Sequence, residues 1–508
     1  MTVPRRPDLD ELKRLAGEHG FAIRPDEEAQ YAILADAILG ILDGLEAQEA
    51  ADPGPVEATR DPGRPADREE DPLNAIVRWC SVSADVEGPL SGRRVAMKDS
   101  IAIAGVPMTC GSRVLRDFVP TVDAVVTDRL LRAGAALVAI TNMDDLAFSG
   151  GGDSSFYGPT LNPFDPTRTA AGSSGGSAAA LHYADRVDMS LGCDQGGSIR
   201  APAAWCGVLG LKPTHGLVPY TGIAGIDQTY DHCGPMARTV ADTAALLQVI
   251  AGADPSDPRQ HDVPERDYVG AVERAPDDLS GVRVGVVEEA GAEPDVAKAF
   301  EGAVERLSAL GASIERISLP EHTQAGGLAF ASFVEGMFDL MTSGGNGYAW
   351  KGRYWPELAD ALGPGLRDYA DDLSAQVKLT LVLGTLLRRE RFGALYAKAQ
   401  NLRPWLTASY DRALAGVDVL AMPTTPGLPH EVAPDLPLAD RVLRGWAMLS
   451  NTTPTDMTGH PALTIPAAAA SGLPVGVMLV GPRWADDRLL ALAATYERRH
   501  GWTPARSG

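Results

Sequence analysis

The chain has 508 residues, of which 45% are hydrophobic and 22% are charged. It contains 45 basic and 67 acidic residues, so its formal net charge is −22 at pH 7. Such acidity keeps a protein soluble and disfavours a nucleic-acid partner, because phosphate contacts need clustered Lys and Arg. The length predicts one large domain with an appendage.

The first residues and the cysteines indicate the cellular compartment. The opening MTVPRRPDLDELKRLAGEHG lacks the apolar core of a signal peptide, and no later run approaches the ~20 apolar residues of a membrane span. We therefore expect a cytoplasmic protein without a membrane partner. The five cysteines lack the close spacing of a zinc site and are expected to be reduced thiols: Cys80, Cys110, Cys193, Cys206 and Cys233.

Residues 1–72 are predicted to form an N-terminal helical domain followed by a linker. Strong helix formers, with apolar positions at helical spacing, fill most of residues 8–50. Residues 51–72 (ADPGPVEATRDPGRPADREEDP) are rich in proline, glycine and charge, which is typical of a surface linker. The main domain is expected to span residues 73–508.

Within residues 73–508, short apolar runs alternate with helical ones, which indicates an α/β fold. The helical runs include DAVVTDRLLRAGA and DDRLLALAATYERR. Residues 330–400 differ, being helical around a glycine-rich interruption that is equally compatible with a cleft cover and a surface excursion. The strand-like runs are RRVAMKD, ALVAIT, MSLGCD, VRVGVV, DVLAMP and VGVMLVGP.

Two stretches rich in glycine and serine carry the candidate chemistry. In LGCDQGGSIRAPAAW, Ser198 follows two glycines, as a nucleophile held on bare backbone would. In TAAGSSGGSAAAL, small residues precede a helix-prone run. Loops of this kind bind phosphate, present a nucleophile or merely join a strand to a helix. Phosphate binding is disfavoured because neither GxxxxGK[ST] nor a GxGxxG after a strand is present.

The second stretch also matches the short GxSxG motif of α/β-hydrolases. Gly172, Ser174 and Gly176 occupy its fixed positions. That interpretation needs an acid and a histidine downstream. The candidate histidines have no distinguishing context: His430, His460 and His500.

Lys98 is the candidate for the base that removes the proton of a serine nucleophile. It ends the apolar run RVAMK and is followed by Asp99 and Ser100. Taken alone, it is equally compatible with a side chain that reaches solvent along its apolar stem. A free lysine, with a pKa of ~10.4, is charged at neutral pH, so burial must lower its pKa before it can accept a proton.

Three motifs together resemble the amidase signature family: Lys98 in VAMKD, Ser173 in AGSSGGS and Ser198 in CDQGGSIR. The resemblance is strongest to bacterial broad-range amidases with an N-terminal helical domain, and to the related urethanases. It implies a large twisted mixed β-sheet covered by helices on both faces, with neither metal nor cofactor. It extends over PAAWCGVLGLKPTHGLVP, DAVVTDRLLRAGAALVAITNMDDLAF, DHCGPMARTVADTAALL, PTTP, TGHPALTIP and GLPVGVMLVGP.

The resemblance implies a role for each candidate residue. Ser198 corresponds to the acylated nucleophile, Ser173 to a bridging serine after a cis peptide at Gly172, and Lys98 to the base. The interval from Ser173 to Ser198 is one residue longer than the usual pattern, which leaves Ser173 against Ser174 open, with Ser173 preferred. Backbone amides of Gln195, Gly196, Gly197 and Ser198 correspond to the oxyanion hole, and Ser174, Asp194 and Arg200 to loop supports.

These motifs predict a hydrolase that cleaves small-molecule carboxylic amides, with carbamates and esters as further substrates. The alternative within the family is an amidotransferase A-type subunit, which releases ammonia for a partner and usually lacks a long helical N-terminal domain. A non-catalytic binding protein would not need all three motif residues. The resemblance also implies a homodimer with Leu34, Ile38, Ile41 and Leu45 in its contact. If they line the cleft, four aromatic residues would favour aryl or hydrophobic acyl groups: Tyr348, Trp350, Tyr354 and Trp355.

Overall fold

The computed structural model describes residues 5–46, 48 and 54–502, and the chain divides into two compact units. The first unit ends at Gly54 and the second begins at Pro55. Parts of the predicted helical region and linker, at residues 47 and 49–53, lie outside the described residues. Where the chain is described, no helix has both the length and the apolar character needed to cross a membrane.

The first unit consists of two helices, α1 (Leu9–Glu18) and α2 (Glu28–Glu46). The side chain of Asp8 caps α1 by accepting a hydrogen bond from the Glu11 amide at 2.8 Å. Helices were predicted within residues 8–50, and these two confirm them. Along α2, four apolar side chains on one face are largely exposed: Leu34 (57%), Ile38 (57%), Ile41 (74%) and Leu45 (62%).

Part of the predicted linker is instead a strand. Thr59–Pro65 forms β1 and pairs antiparallel with the next strand, with a register shift between Asp61 and Arg64. Proline and glycine are compatible with an edge strand, where only one side of the ladder needs backbone donors. The Arg60 guanidinium lies 2.5 Å from the Asp123 carboxylate and attaches this strand to the main body. The boundary between units therefore falls at Gly54 rather than at residue 72.

The second unit is built on one mixed sheet. In the described residues its strand order is β1-β2-β4-β3-β5-β7-β6-β11-β12-β10-β8-β9. The pairs β3/β4, β3/β5, β8/β10 and β8/β9 are parallel, and the other neighbours are antiparallel. The remaining strands are β2 (Ile76–Ser83), β3 (Arg94–Lys98), β4 (Ala136–Thr141), β5 (Met189–Asp194), β6 (Leu209–Lys212), β7 (His232–Ala237), β8 (Arg283–Val287), β9 (Ser313–Ile317), β10 (Val419–Pro423), β11 (Ala462–Ala470) and β12 (Leu473–Val480).

All six strand-like runs predicted from the sequence lie in this sheet, and both predicted helices are present, as α3 and α15. The α-helices of this unit are α3 (Val125–Arg132), α4 (Gly175–Ala180), α5 (Arg200–Cys206), α6 (Val240–Ile250), α7 (Tyr268–Glu273), α8 (Pro294–Ala309), α9 (Ala325–Thr342), α10 (Pro356–Asp368), α11 (Ala375–Arg391), α12 (Ala394–Gly416), α13 (Leu438–Ala447), α14 (Thr453–Thr458) and α15 (Asp486–His500).

Both faces of the sheet are buried. In β3, Val95 and Met97 belong to one hydrophobic core, whereas Ala96 between them belongs to another. Successive side chains of a strand point to opposite faces, so at β3 the two faces are buried in different cores. Helices α3 and α6 contribute to the first core, and α4 contributes to the second. The predicted α/β fold, with a large mixed sheet between layers of helices, is confirmed.

The parallel pair β3/β5 positions the candidate site. Val95 pairs with Met189 and Met97 with Leu191, so both strands run in the same direction. Their last residues, Lys98 and Asp194, therefore reach the same edge of the sheet. Open α/β sheets commonly carry their sites at this carboxyl edge.

Candidate active site

Lys98 is fully buried at the end of β3, so its side chain does not reach solvent. Its Nζ donates hydrogen bonds to Ser173 Oγ at 2.7 Å and to the Cys193 carbonyl at 3.3 Å. Burial lowers the pKa of Lys98, because a buried ammonium loses its hydration. Nearby acidic groups, chiefly Cys193 and Asp194, oppose part of this shift. A lysine whose pKa is lowered by burial can accept a proton, which a hydrated lysine at neutral pH cannot.

Ser173 lies in a tightly packed turn before α4. The peptide bond between Gly172 and Ser173 is cis. A Cβ on Gly172 would collide with the Asp144 carboxylate, so only glycine fits there. The Asp144 amide in turn donates to the Ser173 carbonyl at 3.3 Å. The turn thus holds the buried Ser173 hydroxyl against Lys98.

Ser198 lies in the short loop between β5 and α5, the nucleophile loop (residues 195–199). Gly197 has a positive φ of 139°, and a Cβ there would collide with the Thr452 hydroxyl. The Ser174 amide donates to the Ser198 carbonyl at 3.2 Å. This bond joins the nucleophile loop to the turn that carries Ser173, so Lys98, Ser173 and Ser198 lie on adjoining segments.

The geometry distinguishes Ser173 from Ser174. Ser174 Oγ donates to the Cys193 carbonyl at 3.0 Å and accepts from the Cys193 amide at 3.2 Å, so it ties α4 to β5. Among the described residues, no histidine is hydrogen-bonded to Ser173, Ser174 or Ser198. The GxSxG interpretation therefore has no support. Its three histidines lie elsewhere, with His430 against Trp205, His460 bonded to Asp411 and His500 ending α15.

One of the four amides assigned to the oxyanion hole is already occupied. The Gly197 amide donates to Asp194 Oδ1 at 2.6 Å, which is a strong bond because the acceptor is charged. The amides of Gln195, Gly196 and Ser198 have no hydrogen-bond partner in the part of the chain that the structure describes. The Gly197 N–H is therefore bonded to the Asp194 carboxylate in this structure, and the oxyanion-hole assignment stays a prediction.

Asp194 and Arg200 hold the nucleophile loop through hydrogen bonds. Asp194 Oδ2 accepts from the Ile199 amide at 3.0 Å and from Arg200 Nε at 3.0 Å. Burial raises the pKa of Asp194, but the adjacent Arg200 guanidinium and the backbone amides more than offset this, and the net pKa is lowered. The carboxylate is therefore ionised and fixed beside Ser198.

An aromatic cluster covers the nucleophile loop, and the sequence did not reveal it. A Cβ built on Gly196 would lie 3.4 Å from the Phe333 ring and 3.7 Å from Leu449. The rings stack edge to face, with centroids 6.3 Å apart for Phe148 and Phe333. The aromatic cluster consists of Phe148, Tyr230, Phe330, Phe333 and Trp446. Its members come from distant segments, so no local motif could have signalled it.

The four aromatic residues of the 345–355 segment have different environments. Tyr348 is 76% exposed, and Trp355 is buried against Phe118 with ring centroids 5.5 Å apart. Trp350 and Trp355 line a cavity of about 70 Å³ together with Tyr220. Gln195 Nε2 donates to the Tyr220 hydroxyl at 2.8 Å, so this cavity borders the nucleophile loop. The segment thus forms part of the wall of a cavity near the site.

The five cysteines are free thiols, and Cys110, Cys193, Cys206 and Cys233 are buried. In the described residues, no group of three or more His, Cys, Asp or Glu side chains has an arrangement that could hold a metal ion.

Comparison with known proteins identifies the class. A family model described as amidase matches residues 78–490. The chain belongs to the amidase family, which confirms the resemblance read from its motifs.

Several relatives are similar over most of their length. An enantioselective amidase of Rhodococcus rhodochrous is 41% identical, over 86% of this chain and 85% of the relative. The A-type subunit of a glutamyl-tRNA(Gln) amidotransferase from Halobacterium salinarum is 39% identical, over 84% of this chain and all of the relative. Among solved structures, the native peptide amidase of Stenotrophomonas maltophilia superposes with a TM-score of 0.71 at 29% identity, covering 86% of this chain and 92% of that chain. Both kinds of family member are thus represented.

Proposed function

We propose that this protein hydrolyses carboxylic amides through an acyl-enzyme on Ser198. The observation that supports this most directly is the 2.7 Å hydrogen bond between the buried Lys98 Nζ and Ser173 Oγ. A serine hydroxyl is a poor nucleophile until a positioned base removes its proton. Lys98, with its pKa lowered by burial, is such a base, and the turn that carries Ser173 is hydrogen-bonded to the nucleophile loop through the Ser174 amide.

In the proposed reaction, Ser198 Oγ attacks the carbonyl carbon of the substrate. The Ser198 proton passes to Ser173 Oγ while the Ser173 proton passes to neutral Lys98. The amides of Gln195, Gly196 and Ser198 donate to the oxyanion that forms. The leaving nitrogen takes a proton back along the same route, since an amine leaves only when protonated. A water then attacks the acyl-enzyme, loses a proton to the same relay and regenerates Ser198.

The aromatic cluster supports apolar or aryl acyl groups as the substrate class. Phe333 and Leu449 lie beside Gly196. The Thr453 hydroxyl is equally close, but it is already hydrogen-bonded to the Gly196 and Leu449 carbonyls. Burying an unpaired charge or polar group against such a surface is unfavourable. Carbamates and esters of the same acyl size enter the same acyl-transfer route, so they are included as substrates.

A direct test replaces the nucleophile. Ser198→Ala is expected to lower amide turnover by about 10⁶-fold, because it removes the covalent path. Ser332→Ala, at a fully buried serine in α9, is the matched control and is expected to retain activity. Intact mass after treatment with a fluorophosphonate should show one adduct on the wild type and the control. An adduct on Ser198→Ala would contradict the proposal.

The second candidate is an amidotransferase A-type subunit, which the amidotransferase relatives favour. Such a protein would hydrolyse glutamine, whose free ammonium and carboxylate need polar partners. The three side chains beside Gly196 are two apolar groups and one hydroxyl that is already hydrogen-bonded to backbone carbonyls; none is charged, which favours the free-standing amidase instead. Parallel assays on glutamine and on a benzamide distinguish them: turnover of the benzamide alone supports the amidase, and turnover of glutamine alone supports the amidotransferase.

We also propose that two copies associate through α2. Its exposed apolar face, at Leu34, Ile38, Ile41 and Leu45, is the kind of surface that soluble proteins usually cover. The double variant Ile38→Glu/Ile41→Glu is expected to halve the mass measured by light scattering. Phe392→Glu, at an 83% exposed residue after α11, is the control. A monomeric wild type, or an unchanged mass for the double variant, would contradict this contact.

A further inference from the structure

A chain of buried charged groups lies behind the nucleophile loop. Asp194 ends β5, Arg200 begins α5, Lys212 ends β6 and Asp456 lies in α14. All four side chains are essentially without solvent exposure. The sequence motifs point to Asp194 and Arg200 only, and the proposed reaction uses neither Lys212 nor Asp456.

The first link joins Asp194 to the backbone on both sides of Ser198. Asp194 Oδ1 accepts from the Gly197 amide at 2.6 Å, and Oδ2 accepts from the Ile199 amide at 3.0 Å. A shift of this carboxylate would therefore move the loop that presents Ser198.

The second link is the guanidinium of Arg200, which lies between two carboxylates. Its Nη2 donates to Asp194 Oδ1 at 2.9 Å and to Asp456 Oδ2 at 2.6 Å. Its Nη1 donates to the Thr452 carbonyl at 2.8 Å and to the Thr455 hydroxyl at 2.5 Å. A planar guanidinium held on both sides has one orientation, so Asp456, together with Thr452 and Thr455, sets where Arg200 holds Asp194.

The third link is electrostatic. Lys212 Nζ donates to the His460 carbonyl at 2.7 Å and lies 3.2 Å from His232 Nε2. His232 Nδ1 lies 2.7 Å from the Tyr230 carbonyl and 3.5 Å from Asp456 Oδ1. The ring thus donates from Nδ1 and accepts from Lys212. Burial and the nearby Asp194 carboxylate raise the pKa of Asp456, and the Arg200 and Lys212 cations oppose that rise.

We propose that Asp456 is a positioning residue for the nucleophile, acting through Arg200 and Asp194 on the backbone around Ser198. This inference rests on the proposed role of Ser198. Asp456 has no hydrogen bond to Ser173, Ser198 or Lys98 among the described residues, so it lies outside the proton route. Its removal should therefore slow every reaction of Ser198 by the same factor, whatever the leaving group.

The test compares Asp456→Asn with Asp486→Asn. Asp486 is an equally buried aspartate in α15, where it accepts from the Thr214 amide at 2.9 Å and does not contact Arg200. Asp456→Asn is expected to reduce kcat for an amide and an activated ester about 100-fold each, the usual cost of misplacing a reacting group by about 1 Å. KM is expected to remain near the wild-type value, because no substrate contact changes. Asp486→Asn is expected to keep both rates near wild type.

The rate of fluorophosphonate labelling, measured below the unfolding temperature of each variant, reports the position of Ser198 independently of any substrate. It should fall with kcat in Asp456→Asn. If that variant does not fold, the double variant Asp456→Asn/Lys212→Met removes one charge of each sign. The double variant is expected to regain stability while its labelling stays slow, because the hold on Arg200 is still missing.

Three results would overturn the inference. The first is a wild-type rate of fluorophosphonate labelling in Asp456→Asn. The second is a loss of kcat in Asp486→Asn as large as that in Asp456→Asn, and the third is a ratio of ester to amide kcat in Asp456→Asn that differs from the wild-type ratio. A wild-type protein that is not labelled on Ser198 would instead refute the proposed function. The two failures are therefore distinguishable.

Discussion

Two lysines are fully buried in the described part of the chain, each at the end of a strand, and they differ in their partners. Lys98 ends β3 and Lys212 ends β6, and burial lowers the pKa of both, that of Lys212 to about 8. Lys98 donates to one hydroxyl and one carbonyl. Lys212 donates to the carbonyls of Pro213 and His460 and to the His232 ring.

This difference separates a proposed base from a structural cation. The three acceptors around Lys212 use all three N–H groups of an ammonium. Two are carbonyls, which have no proton to release, and burial holds the pKa of the third, His232, well below its usual value, which disfavours its taking up a proton. The hydroxyl of Ser173 beside Lys98 both accepts and donates, so it can relay a proton. Burial alone therefore does not make a lysine catalytic, since it shifts both pKa values in the same direction.

Between the two lysines, the largest expected effect is that of Lys98→Ala on amide hydrolysis. Removing a general base typically costs about 10²–10⁴-fold, and we expect a loss at the upper end, because the leaving amine also needs the relay. An activated ester should lose less, since a phenolate leaves without a proton. The measurement is the ratio of ester to amide kcat/KM in wild type and variant.

Lys98→Arg is the control for charge at this position. A guanidinium stays protonated, so it should not restore amide turnover. If Lys98→Ala lowered kcat/KM for the ester and the amide by the same factor, Lys98 would be a structural cation like Lys212 and not a base.

The next effect is on stability. Lys212→Met removes a cation near Asp456 and leaves the Pro213 and His460 carbonyls without its hydrogen bonds, which costs about 3–5 kcal/mol in the free energy of unfolding. The unfolding temperature should therefore fall clearly. Lys98→Met, which removes a lysine with fewer fixed acceptors, is expected to change the unfolding temperature less. The reverse order in calorimetry would contradict the assignment of the two lysines.

A smaller effect that also distinguishes the two lysines is the pH dependence of amide kcat/KM. Lys98 acts in its neutral form, so amide kcat/KM should rise about tenfold per pH unit below the pKa of Lys98 and level off above it. Because burial lowers this pKa, the plateau should begin below 10.5, the ordinary value for lysine. Lys212→Met, assayed where it is folded, should keep the same profile. If the pH profile changed in Lys212→Met and stayed the same in Lys98→Ala, Lys212 and not Lys98 would be the base.

The smallest expected effect is that of metal removal. The proposed base is an amine and the proposed oxyanion donors are backbone amides, so dialysis against EDTA should leave kcat/KM unchanged. A loss of activity that returns on adding zinc would show that the two lysines do not account for the chemistry.

Much of the fold could be predicted because its signals are local. Strands such as RVAMK and MSLGCD are short apolar runs bounded by turns, and their type follows from that pattern alone. The error at Thr59–Pro65 has a physical reason, since proline and glycine suggest a linker while an edge strand tolerates them.

The amino-acid sequence by itself determined the α/β fold, the family and the three motifs that contain Lys98, Ser173 and Ser198, because each depends on residues close together in the chain. Only the tertiary structure decided which serine Lys98 contacts, that Asp194 occupies the Gly197 amide, and that Asp456 and the aromatic cluster flank the nucleophile loop. Those facts depend on contacts between segments up to hundreds of residues apart. Two buried lysines that look alike in sequence differ only in what the fold places around them.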